Sequence, residues 1–260
     1  MPYHTMPLLQ RMEQFYQLPR DRQRFETYLE IMLDKDRKDI ELPIASFNPM
    51  GKELVLAKIS ELRVARAEIV LEEEVANFNA RHTQAFARNI SVAINLVDDV
   101  GGAWSSRYST DYTSKFVSSA TLKRNFCLPF FFTSETFDEA SVRLRIREYL
   151  YRTYYGLQNS RPTTLAEHLA QEVYVQQMVE APRISSDEEA FALMEARAKE
   201  FAQSTDYNLI FNFFYGDPAC EVLNYKTYGL PHNAGFEYAA LLAQKSGAEA
   251  TNARASHHRQ

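Results

Sequence analysis

The residues with the clearest chemical potential form one run, Asp98-Asp99-Val100-Gly101-Gly102-Ala103-Trp104-Ser105-Ser106-Arg107, extended by Asp111. Two adjacent carboxylates can act as acid and base, and a glycine pair permits close backbone approach to a ligand. Trp104 offers a large amphipathic surface, and Arg107 a planar fork for an anionic group. Asp98 and Asp99 are therefore candidate catalytic carboxylates, with Trp104, Arg107 and Asp111 as candidate binding residues. The same acids and glycines also make ordinary turn chemistry, because Asp bonds its own backbone and Gly supplies positive φ. A turn accounts for the carboxylates but gives no reason for tryptophan and arginine to come next.

His168 and Glu172 complete the candidate catalytic set. Four residues apart in a predicted helix, they share one face and could bind a metal together or act as a base with its orienting carboxylate. The zinc-protease pattern requires a second histidine that this segment lacks, and a surface ion pair explains the spacing without any ligand. Asp98, His168 and Glu172 together would make a metal-dependent hydrolase, with the metal itself unassigned. No cofactor is identified: the glycines fit neither a phosphate-binding loop nor a dinucleotide fingerprint, and no nucleophile elbow occurs. Cys127 and Cys220 stand far apart in apolar surroundings and read as buried free thiols. Glu72, Glu73 and Glu74 point in different directions around a helix and read as a solvated face.

The elements that would position these groups follow from periodicity. Ile90, Val92, Ile94 and Leu96 alternate with smaller or polar residues, the two-residue repeat of a strand that ends at Val97, just before the two aspartates. Phe126 to Thr133 is a second predicted strand, with Pro129 arguing for an edge or a bulge, and Tyr207 to Phe214 is a third. Parallel strands would collect their following polar residues at one edge, which adds Glu135 and Asp217 to the candidate binding residues. Helices are predicted over 8–35, with a break at Leu18-Pro19 and Asp21 as a cap, and as one long helix from Gly51 to Phe78. Three more open at hydroxyl–glutamate capping boxes, Thr136 with Glu139, Thr164 with Glu167 and Ser185 with Glu188. A last helix is predicted over Ala234 to Lys245. The expected fold is α+β, or α/β if helical crossovers join parallel strands, with a small central sheet of about three strands covered by amphipathic helices. The expected organisation is one domain over 1–246, whose first 50 residues form a helical arm, and a disordered tail over 247–260.

The chain has 260 residues, 45% of them hydrophobic and 24% charged, with a net charge of −5. That mixture is globular, and the excess of acid provides no surplus of Lys and Arg to neutralise phosphates, so nucleic acid is not expected as a partner. No apolar run approaches the roughly 18 residues of a membrane span, and the N-terminus lacks a signal-peptide core, so no membrane partner and a cytoplasmic location are expected. The functional expectation is an enzyme acting on a small molecule or peptide with strand-end carboxylates. Its rival is a non-catalytic protein whose helix and aromatic segments build a homo-oligomeric or partner surface.

Overall fold

The computed structural model describes residues 2–44, 47–51, 53–82, 88–100, 105–179, 184 and 187–257. Helix makes up 62% of the chain and strand 7%, a helix-rich α+β fold. The chain divides into two compact units, 1–153 and 154–260.

The first unit opens with strand β1 (Tyr3–Thr5), where the sequence suggests only helix. Three residues between Pro2 and Pro7 are too few to show a period. Helices α1 (Leu8–Tyr16) and α2 (Arg22–Met32) follow, separated at Leu18-Pro19 as expected, and Asp21 caps α2 by accepting from the Arg24 N–H at 3.0 Å. The long helix expected over 51–78 is two helices, α3 (Glu53–Val64) and α4 (Ala67–Arg81). Arg66, at φ 57°, interrupts the ladder between them. No Gly or Pro marks the break; α3 buries Val55, Ile59 and Leu62, whereas α4 buries Val70, Leu71, Val75 and Phe78 and leaves Ile69 exposed, so the stripe shifts across Arg66.

The predicted strand over 90–97 is two strands, β2 (Ile90–Val92) and β3 (Asn95–Val97), separated by Ala93-Ile94. After α5 (Arg107–Phe116) and α6 (Ser119–Lys123), the second predicted strand is likewise split at Leu128-Pro129 into β4 (Phe126–Cys127) and β5 (Phe130–Phe132). β2 is central in a three-stranded sheet, parallel to β1 on one side and β4 on the other, and β3 pairs in parallel with β5, Val97 opposite Phe132. Asn79 of α4 closes the outer edge of β1, donating to the Tyr3 carbonyl at 2.9 Å and accepting from its N–H at 3.0 Å. Ile90, Val92, Leu96, Phe131 and Phe132 are fully buried, so the sheet lies in the core.

Helix α7 (Glu139–Gln158) begins two residues later than its proposed capping box places it. Its cap is Asp138, which accepts from the Ser141 N–H at 2.7 Å, and not Thr136. The boundary between the two units falls inside this helix.

The second unit is all helical among the described residues: α8 (Leu165–Val179), α9 (Glu188–Glu200), α10 (Tyr207–Leu223) and α11 (Ala234–His257). The capping box at α8 forms as expected, Thr164 N–H donating to Glu167 at 3.0 Å and Glu167 N–H to the Thr164 hydroxyl at 3.3 Å. The box proposed at Ser185 lies outside the described residues, and Asp187 caps α9. α11 continues to His257, past the end expected near Lys245.

The third predicted strand, Tyr207 to Phe214, is not a strand. It is the first half of α10, opened by Asp206, whose carboxylate accepts from the Leu209 N–H at 2.8 Å. Leu209 through Gly216 are all buried, so alternation of apolar side chains there carries no information about period. The helix kinks at Gly216, with φ +77°, where an added Cβ would lie 2.0 Å from the Pro231 carbonyl oxygen. Only glycine fits both the backbone angle and the space.

Candidate functional site

Because β3 and β5 run parallel and in register, the residues after Val97 and after Phe132 leave the sheet side by side. Asp99 and Ser134 meet there. The Asp99 carboxylate accepts from the Thr133 hydroxyl at 2.8 Å, the Ser134 N–H at 2.9 Å and the Ser134 hydroxyl at 2.6 Å. Glu135 accepts from Arg107 Nη2 at 2.7 Å, from Arg145 Nη2 at 3.1 Å and from the Phe132 N–H at 3.2 Å. Arg107 also donates to the Ser134 hydroxyl at 2.6 Å, and its guanidinium lies over the Phe132 ring. Asp98 is buried and accepts from Asn48 Nδ2 at 2.9 Å.

Of the carboxylates expected at one sheet edge, Asp99 and Glu135 are linked through Ser134 and Arg107, whereas the Asp98 carboxylate bonds to Asn48; each of these charged groups is engaged in bonds within the fold. Asp111, one turn into α5, pairs with Lys115 at 2.7 Å. Gly101, Gly102 and Trp104 lie outside the described residues.

Asp217 does not follow a strand. It sits at the kink of α10 and accepts from Asn212 Nδ2 at 2.8 Å and from the N–H groups of Tyr228 and Gly229, both at 3.0 Å, and of Leu230 at 3.3 Å. Burial works to raise its pKa, but these four donors outweigh burial and hold the carboxyl below its ordinary range. It fastens a loop to a helix.

His168 and Glu172 lie on one face of α8, as the spacing predicts, but that face is buried. His168 is 5% exposed and Glu172 fully covered, so a solvated surface pair is not what the spacing encodes. Burial lowers the His168 pKa to about 4 against the upward pull of Glu172 and Glu167, leaving a neutral imidazole. Glu172 accepts from Gln171 Nε2 at 3.1 Å. Among the described residues no group of three or more His, Cys, Asp or Glu side chains converges as a metal site. Cys127 and Cys220 are buried and unbridged, and burial pushes the Cys127 thiol up to about 12.

What sequence reasoning missed is a cavity of about 310 Å3 in the first unit, walled by α5, α6, β4, β5 and α7. α5 contributes Ser109, Thr110, Thr113 and Ser114; Ser118 and Thr121 come from around α6, and Tyr149 and Thr153 from α7. The remaining wall is apolar, chiefly Phe126, Leu128 and Phe130 from the strands. No Asp, Glu, Lys, Arg or His lines it. Its signal was present in the sequence. Residues 109, 110, 113 and 114 recur at one- and three-residue steps, so short hydroxyl side chains share one face of α5, and Ser118 and Thr121 follow at the start of α6 and within it. No protein family, curated protein or solved structure matches the chain. Among the described residues no helix is long and apolar enough to cross a membrane.

Proposed function

We propose that the first unit binds a small molecule in the hydroxyl-lined cavity between α5, α6 and α7. The observation that carries this reading is the wall itself: eight hydroxyl side chains around about 310 Å3, together with the apolar side chains of Val117, Leu122, Phe126, Leu128 and Phe130. Binding sites for small molecules are concave, of several hundred Å3, and mostly apolar, with a few placed polar groups that fix orientation. A helix face buried only to complete a core would carry larger apolar residues at these positions.

The strand-end carboxylates hold the site rather than react in it. Arg107, the first residue of α5, is tied through Glu135 to Arg145 of α7, which links two helices that contribute to the wall. A rigid first turn is what a preformed pocket needs. The acid–base reading of Asp99 and Glu135 has less support, because the bonds they accept already occupy carboxylate oxygens that a proton transfer would use.

The test is a fragment screen by saturation-transfer NMR on the wild-type chain and on Ala120→Trp. Ala120 lies on the exposed rim of the cavity, so an indole there blocks the mouth without entering the core. Fragments that bind wild type and are lost in A120W, at an unchanged melting temperature, support the reading. A screen with no binders, or binders indifferent to A120W, overturns it.

A further inference from the structure

The cavity wall has a polarity that residue types alone do not reveal. A serine or threonine hydroxyl carries one hydrogen and two lone pairs, so a hydroxyl that donates to a carbonyl has no hydrogen left to offer. Ser114 Oγ lies 2.8 Å from the Asp111 carbonyl oxygen, one turn back on α5, and must donate to it. Ser114 Oγ also lies 2.6 Å from the Tyr149 hydroxyl. With its hydrogen committed, Ser114 accepts there and Tyr149 donates. Tyr149 is then left with lone pairs only. Thr121 repeats the pattern, donating to the Ser118 carbonyl at 2.7 Å.

Three lining hydroxyls on three different helical segments thus present oxygen lone pairs rather than protons. Of the charges around these hydroxyls, Asp111 pairs with Lys115 at 2.7 Å and the Arg152 guanidinium lies over the Tyr149 ring, 5.3 Å from its centroid.

We infer that the cavity selects an uncharged ligand that donates hydrogen bonds, a hydroxyl-bearing ring or compact polyol, with the Tyr149 and Thr121 oxygens receiving its donors and Phe126, Leu128 and Phe130 packing its carbon frame. This rests on the cavity reading above and adds the substrate class. At the Ser114, Tyr149 and Thr121 oxygens a carboxylate or phosphate would meet lone pairs and lose hydration uncompensated there, and a ketone would leave those three acceptors unanswered.

The experiment compares cyclohexanol, cyclohexanone and cyclohexanecarboxylate, which share a ring and differ in donor, acceptor and charge, by NMR titration of the full chain. The expected result is that cyclohexanol binds wild type at least tenfold tighter than either of the others. Ser114→Ala supplies the decisive arm. Removing that oxygen frees the Tyr149 hydrogen to point into the cavity, so cyclohexanone should gain severalfold and the preference should shrink or invert, whereas a merely structural serine would weaken all three alike. If cyclohexanone or the carboxylate equals cyclohexanol in wild type, or if S114A leaves the ratio unchanged, the donor preference is overturned and the cavity reading stands. If no probe binds, or none is displaced by A120W, the cavity reading falls and the inference with it.

Discussion

Two polar regions of the first unit lie at opposite ends of α5 and treat their hydrogen-bonding capacity in opposite ways. At its N-terminal side, Asp99, Ser134, Glu135, Arg107 and Arg145 form a charged network whose bonds close on one another. Towards its C-terminal end and on α6 beyond it, Ser114 and Thr121 spend their hydrogens locally and leave acceptors facing a space. On the proposed reading, charge is therefore the poorer guide to function here. The carboxylates attract notice in the sequence because they are chemically potent, but potency is what obliges a fold to neutralise them. The neutral hydroxyls are inconspicuous, and a chain can leave them unfilled at small cost.

The largest effect that sharpens this contrast is expected from Glu135→Ala. It leaves two guanidiniums facing each other without their shared carboxylate and should destabilise the protein by about 3 kcal/mol in urea unfolding, somewhat less than a fully buried pair because both arginines retain part of their hydration. Ring-alcohol affinity should weaken together with the loss of stability, because the tie from α5 to α7 goes with the carboxylate. Lost binding at full stability would break the contrast.

An effect of similar size is expected in the second unit, where His168 is polar, buried and held neutral. Its folded pKa of about 4 lies below the ordinary 6.5, so the unfolded chain takes up a proton first as pH falls. Stability is complete above about pH 6.5 and declines towards pH 4, by about 3 kcal/mol for the full shift. Urea midpoints stepped from pH 7.5 to 4 check this, and His168→Gln should flatten the slope attributable to this residue.

Asp99→Asn keeps size and removes charge. It should lower stability by about 1–2 kcal/mol, through weaker bonds from Thr133 and Ser134, with the melting temperature as the readout. Smallest of all should be the pH dependence of ligand affinity. Tyr149 is the one lining side chain with an ordinary titration below pH 11, and burial, reinforced by Asp111, pushes its pKa far up. Affinity should stay within about twofold from pH 5 to 9, and a steep titration in that range would mean that a charged group enters the site.

Much of this arrangement can be read from the residues. Pro19 and Asp21 announce the start of α2, the alternation from Ile90 to Leu96 announces extended chain, and the reciprocal Thr164 and Glu167 announce α8. These signals are local, and local physics decides them. Tyr207 to Phe214 misleads because a segment buried on every side has no polar face to reveal its period, and only the cap at Asp206 distinguishes helix from strand. The break at Arg66 is invisible for another reason: that residue's side chain pairs with Glu139, far along the chain. The strand-end carboxylates are legible as a group because both strands are, but their closure depends on Arg145, a residue the α7 pattern gives no cause to single out. The cavity escapes because attention to charge passes over a repeating row of hydroxyls.

The pairing of β1 with β2 bears on how the chain is made. Tyr3 leaves the ribosome well ahead of its partner Ile90, which follows roughly 85 residues later. At common synthesis rates the first strand waits on the order of ten seconds for an edge to join. The four helices that intervene emerge before any sheet exists for them to cover. The central strand must therefore recruit one neighbour already waiting upstream and another not yet made, so the sheet can close only after Cys127 has been added.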